Sequence, residues 1–251
     1  MPAKRRSRIA QAYPDRVEVR GRDLTGELMG SITFTEYFHL LLTGREPTED
    51  QKFFLDLLLV AIAEHGMMPT NVAARMTLAA DPGSLQGALA AGLLGAGPVV
   101  LGTSEECARL LAAGVAEVRD AAAVVRDLRA AGERVPGFGH PVHRPVDPRA
   151  ERILELADER GVSGAHVAYA RSLRDAVAGE WDKPLPMNVA MPIAAVMLDL
   201  GYSVETVKTV PLLARTAGLL AHLVEEREEP LGFVLASAAE DAVEYGAPEE
   251  P

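Results

Sequence analysis

Cysteine is nearly absent. Cys107 is the only one in 251 residues, which excludes a disulfide framework and a cysteine-based zinc site, and its setting in "SEECARLLAAG" is that of a helical core residue. Net positive charge is missing too: 25 Lys and Arg face 36 Asp and Glu, giving −11 at pH 7. A nucleic-acid surface needs the opposite balance, so any polyanionic ligand must be met by a local arginine cluster. The basic opening "MPAKRRSRIAQ" lacks the apolar run of a secretory signal and reads as a solvated tail. The uncharged stretch "GALAAGLLGAGPVVLGTS", residues 87 to 104, nearly reaches membrane-spanning length but holds five glycines and a proline, and is expected to be a closely packed buried segment. No repeat or low-complexity tract is present. These absences point to a cytoplasmic protein with no membrane and no nucleic-acid partner.

Strand-like alternation is also scarce, with only "RVEVRG" near residue 20 reading that way. Helix punctuation is abundant instead. Thr33 with Glu36, and Thr48 with Gln51, form capping-box patterns ahead of "YFHLLLTG" and "KFFLDLLLVAIAEHG", each run stopping at a glycine. In "DPRAERILELADERG" Asp147 is placed as N-cap and Pro148 at N1, with Ile153, Leu154 and Ala157 at core-facing spacing. The tract around residues 108 to 131 reads as one or two helices, and further helices are expected in "GAHVAYARSLRDAVAG", "NVAMPIAAVMLDLG" and "PLLARTAGLLAHLVEERE". The fold class is all-α. The length allows one large domain or two small ones, with a substantial core.

Four segments depart from plain amphipathic helix. His65 in "AEHGMMPTN" closes an apolar helix, where a histidine commonly serves as a dipole-stabilised cap. "GAGPVVLG" lacks the spacing and the strand that a dinucleotide fingerprint needs, which leaves tight helix packing. "PGFGHPVHRPVDPRA", residues 136 to 150, carries His140 and His143 at His-x-x-His spacing. Pro141 lies between them, and the nearest acid, Asp147, is taken as a cap, so a metal pair is disfavoured. A stiff loop entering a helix N-terminus with Arg144 and Arg149 suits a carboxylate or phosphate. In "ARTAGLLAHLVEE", Arg215 and His222 share one helix face, and an arginine on a small apolar face is either in a buried ion pair or turned to an anionic ligand.

In this order, the segments resemble the citrate synthase superfamily, especially its short members related to citryl-CoA lyase. The match runs from "VRGRDLTGELMGSITFTEYFHLLLTGREPT" through "PGFGHPVHRPVDPRAERI" to "ARTAGLLAHLVEE". The resemblance implies a helical homodimer with a large domain, residues 1–102 and 201–251, and a smaller one, residues 103–200. It implies a CoA thioester as cosubstrate with no permanently bound cofactor, and an oxo- or hydroxy-carboxylic acid as the other small-molecule partner. By the same resemblance His140 polarises the keto carbonyl or acts on the hydroxyl of the cleaved product. His65, Arg149 and Arg215 bind carboxylate, while Val135, Gly137, Phe138, Gly139 and Arg144 hold CoA.

The departures limit this. The family's thioester-polarising histidine is replaced by Val100 in "GPVVLGT", and its proton-abstracting aspartate by Ala190 in "PMNVAMPI". Neither can move a proton, and each such group ordinarily contributes roughly a hundred- to ten-thousand-fold. Glu229 before Pro230 stands where an Arg-Pro pair is common. The expected activity is citryl-CoA lyase-like cleavage or formation of a carbon–carbon bond. Asp182 and His143 are alternative proton carriers by proximity in sequence. The rivals are a non-catalytic CoA- or carboxylate-binding relative and citrate synthase proper.

Overall fold

A computed structural model describes residues 6–181 and 185–246; Asp182 lies outside the described residues. The helix signals are answered at the backbone. Thr33 caps α1 (Phe34–Thr43), its Oγ1 accepting from the Glu36 amide while the Glu36 carboxylate accepts from the Thr33 amide at 2.6 Å. Thr48 and Gln51 repeat this reciprocal pair at the start of α2 (Glu49–Ala63), with bonds of 3.0 and 3.2 Å. Each box satisfies two amides that the first helical turn leaves without partners. α1 closes on Gly44, whereas α2 stops at Ala63, short of Gly66.

Residues 1–57 and 58–251 form two compact units. In the first, β1 (Ala10–Ala12), β2 (Val17–Val19) and β3 (Arg22–Asp23) make an antiparallel sheet in that order, Ala10 facing Val19 and Val19 facing Arg22. The alternation in "RVEVRG" reveals β2; β1, "AQA", is as long but has no β-branched or aromatic residue to mark it, and β3 has only two residues. Val19, Leu28 and Leu40 make the core, with Val17, Leu24, Ile32, Tyr37 and Leu41 packed against it.

The second unit is helical: α3 (Pro69–Ala80), α4 (Leu85–Leu94), α5 (Thr103–Ala116), α6 (Ala121–Ala130), α7 (Pro148–Glu159), α8 (Ala165–Glu180), α9 (Ala190–Asp199), α10 (Val204–Val207), α11 (Thr209–Glu228) and α12 (Gly232–Asp241). α3 packs against α4, α11 and α12, while α9 packs against α5, α7, α8 and α10. α9 is apolar all round, and Met191 through Met197 are buried without a break, as in a helix enclosed by others. The tract around residues 108 to 131 resolves into two helices, α5 and α6.

The segment 87–104 is less uniformly buried than expected. Ala88 and Gly92 are buried, and a Cβ on Gly92 would lie 2.9 Å from both the Leu219 side chain and the Thr70 carbonyl. The helix ends at Leu94, however, and Leu94 and Val99 are exposed. Val204–Glu228 is long and apolar enough to cross a membrane, but its inward face carries Arg215 and Glu226, both buried and ion-paired, which marks a core helix.

Candidate active site

The loop between α6 and α7 brings the chemistry together. It is zipped to the segment before α9: Gly139 N donates to the Pro186 carbonyl at 2.8 Å, Asn188 N to the Gly137 carbonyl at 2.8 Å, and Asn188 Nδ2 to the Gly139 carbonyl at 3.0 Å. Gly137 has no substitute here. Its φ is 81°, and a Cβ would stand 2.8 Å from Cys107 Sγ and 2.9 Å from Met191 Cβ, so the loop lies directly on the core.

At the loop's end His140 is oriented by its own backbone. Its Nδ1 accepts from the amides of Val142 at 3.1 Å and His143 at 2.9 Å, so in the neutral ring the proton sits on Nε2. Arg149 Nη2 stands 3.4 Å from that Nε2. Two donors face each other, and a single acceptor oxygen could serve both.

Asp147 is the N-cap of α7, accepting from Arg149 N, and it does more than cap. It is fully buried, takes Arg149 Nε at 3.0 Å and Nη2 at 2.8 Å in a bidentate pair, and accepts from Val189 N at 3.1 Å. Burial alone would raise its carboxyl, but the Arg149 guanidinium and amide outweigh that and hold it below the usual carboxylate range.

His65 reaches the same place from the end of α2. Its Nε2 is 3.0 Å from His143 Nε2, and the rings of His65, His140 and His143 lie with centroids 4.4 to 5.2 Å apart. Burial depresses the imidazoles of His65 and His140, and neighbouring positive charge adds to it, so both are neutral at pH 7. The three rings are close enough to suggest a metal site. The tautomer opposes it: with Nδ1 accepting two amide protons, His140 Nε2 carries hydrogen and has no lone pair for a cation, and Arg149 adds positive charge.

Arg215 lies on α11, almost fully buried, and of the two readings left open for it the ion pair is present. Its Nη1 donates to Glu64 at 3.1 Å and Asn71 Oδ1 at 3.0 Å, its Nη2 reaches the Ile62 carbonyl at 3.4 Å, and its Nε is buried without a partner among the described residues. It also feels the charge of Arg149. Behind it runs a chain in which His222 was singled out from the sequence and Glu64, Arg75, Glu225 and Glu226 were not. His222 Nε2 meets Glu64 at 2.5 Å, its Nδ1 accepts from Arg75 Nε at 3.0 Å, and the fully buried Arg75 donates to Glu226 at 2.9 Å and pairs with Glu225. Burial pulls Glu64 upward, but the His65 amide, Asn71, His222 and Arg215 hold its carboxyl below the ordinary range. Arg75 in "PTNVAARMTLAA" is, like Arg215, an arginine on an apolar helix, and that signal could have found it.

A cavity of about 840 Å³ opens beside this cluster. Val135, Gly137, Phe138, Gly139 and His140 line it, with Arg129, Arg134 and Trp181 among the other walls. Arg144 is exposed and does not line it. Pro98, Val99 and Thr103 contribute to the wall; Val100 between them is half-buried, as is Ala190, whose amide donates to Asn188 Oδ1 at 3.1 Å. Glu229 is exposed at the end of α11.

Imidazoles and guanidiniums gather here on a helical scaffold beside a large cavity, a set of donors whose chemistry suits a carboxylate. The chain belongs to the citrate synthase family: the model for the citrate synthase C-terminal domain matches residues 5–232. It is 30% identical over 196 residues to Citrate synthase 2 of Bacillus subtilis, covering 76% of this chain and 51% of that protein. It is 28% identical over 207 residues to the citrate synthase of Haloferax volcanii, covering 79% and 53%. The chain thus spans about half the length of the curated relatives it matches. Among solved structures it superposes on citryl-CoA lyase from Hydrogenobacter thermophilus with a TM-score of 0.87 at 29% identity, covering 98% of this chain and 96% of that one. It also superposes on ATP citrate lyase from Methanothrix soehngenii, solved with citrate and coenzyme A, with a TM-score of 0.84 at 21% identity, covering all of this chain and 43% of that one. The fold is citrate synthase-like and mainly helical.

Proposed function

We propose that this protein makes or cleaves a carbon–carbon bond between a CoA thioester and an oxo-acid, in the manner of a citryl-CoA lyase. One observation carries the reading: His140 both lines the 840 Å³ cavity and points a donor at the gap it shares with Arg149. The thioester occupies the cavity along Val135 to Gly139, with Arg144 available to the exposed part of CoA. The acid's oxo oxygen sits between His140 Nε2 and Arg149 Nη2. Its carboxylates meet Arg149, Arg215 and His65, and the unsatisfied Nε of Arg215 suits a group kept for an anion. Residues 103–200 form the small domain, and the working unit is a homodimer in the cytoplasm.

In the cleavage direction the hydroxyl loses its proton, its oxygen becomes the oxo group, and the bond to the thioester α-carbon breaks with its electron pair passing into the thioester as an enolate. His140 and Arg149 follow the oxygen throughout, donating to it as alcohol, as alkoxide and as ketone. Donors already aimed at the charge that develops need no reorganisation when it appears. Of the two roles open to His140, the geometry supports orienting over deprotonating, because its Nδ1 is occupied by two amides and its Nε2 carries a proton.

The test is conversion of citryl-CoA to acetyl-CoA and oxaloacetate by the full chain. Turnover is expected, falling about a hundred- to a thousand-fold in His140→Ala. Folded protein that turns over none of a panel of 3-hydroxyacyl-CoA thioesters overturns the reading. Val100 and Ala190 favour a second reading, a binder without turnover, which calorimetry identifies as CoA-thioester binding with no product. They also rank citrate synthase proper below the lyase, since acetyl-CoA enolisation then lacks both usual groups.

A further inference from the structure

With Val100 and Ala190 unable to carry a proton, the reaction proposed above still needs one taken from the hydroxyl and returned to the α-carbon. His140 is occupied as a donor. Beside it stands a pair with the right capacity. His65 Nε2 and His143 Nε2 are 3.0 Å apart, so one ring donates to the other. His143 Nδ1 has no partner among the described residues, and the His65 ring carries a hydrogen bond to its own backbone. Two imidazoles that share two ring protons hold one in the bridge and one on the accepting ring's Nδ1, and this leaves the donating ring's Nδ1 as a vacant base. A proton taken there is passed across the bridge and released from the other Nδ1.

We infer that His143 and His65 act as one proton-transferring pair, a role that rests on the lyase reading. In cleavage the pair takes the hydroxyl proton as the carbon–carbon bond breaks, becomes imidazole–imidazolium, and returns the proton to the α-carbon of the enolate, giving the acetyl thioester and the oxo-acid with no net gain or loss. The hydroxyl oxygen and the α-carbon are bonded to the same carbon, so one pair can serve both. His140 stands against both rings, its centroid 5.2 Å from that of His65 and 4.4 Å from that of His143, and Glu64 accepts from the His65 amide at 2.9 Å. Asp147 is spoken for by Arg149, and Glu64 by Arg215 and His222, so neither acid competes for the role.

The experiment compares citryl-CoA cleavage by the full chain and by His143→Ala, with CoA-thioester binding measured alongside. The variant is expected to bind like the parent, to turn over about a hundred- to ten-thousand-fold more slowly, and to regain activity when imidazole is added, in proportion to its neutral form. An active parent with an undiminished variant, or a slow variant that imidazole does not rescue, overturns the pair and leaves the lyase reading standing. If the parent itself cleaves no thioester, the lyase reading fails. Nitrogen-15 spectra of the parent then decide the pair alone: bridged Nε2 atoms taking up one shared proton sustain it, and two imidazoles titrating independently overturn it.

Discussion

His140 receives two amide protons on one nitrogen and is thereby committed to donating from the other. Protonating it would break both bonds, and burial with nearby charge already lowers its affinity for a proton, as it does for His65. Because both pKa values are lowered from 6.5, the unfolded chain binds protons that the folded one refuses. The stability these two contribute is full above pH 6.5 and is lost as pH falls from there through the folded values. Chemical denaturation from pH 8 to pH 5 should therefore show a loss that a His65→Gln, His140→Gln double variant lacks. Arg149 gives a second test. Arg149→Lys keeps the charge but cannot form the bidentate pair with Asp147, and should weaken oxo-acid binding by about 1.5–3 kcal/mol while leaving CoA binding intact, read by calorimetry. Much of this was legible at the level of residue type, since His140, Arg149, Arg215 and His65 do converge. What no local pattern could show was that Asp147 both caps α7 and holds Arg149, or that His143 pairs with a residue 78 positions away.

α11 and α3 are locked by ions rather than apolar contact alone. Arg75 is fully buried against Glu226, whose carboxylate also accepts from the amides of Leu231 and Gly232 at the turn into α12. Removing one member leaves the other charged and dry, so Arg75→Met should cost about 3–5 kcal/mol in denaturant unfolding. If His222 and Glu64 depend on it to hold Arg215, oxo-acid binding should weaken with it. The loop element is equally unforgiving. Gly137→Ala adds a methyl against Cys107 and Met191 in a left-handed backbone and should cost about 1–3 kcal/mol, read as a lowered melting point with weakened CoA binding. Helix starts were readable because Thr33, Thr48 and Asp147 act within three residues of themselves. The ladder from Glu226 to Arg215 was not, because it joins Glu64, just past the end of α2, to α3 and α11 across some 150 positions.

At the scale of the molecule, a chain of half its curated relatives' length supplies the cavity, the oriented histidine and the arginines, while Val100 and Ala190 stand where proton carriers are expected. Function therefore turns on where the two ligands lie. The most direct measurement is a crystal structure of the protein with CoA and oxaloacetate bound. It should place CoA in the cavity along Val135 to Gly139 and the oxo oxygen between His140 Nε2 and Arg149 Nη2, with the His65–His143 pair facing the carbon to be bonded. Oxaloacetate bound away from His140, or a cavity that stays empty at saturating CoA, would contradict it.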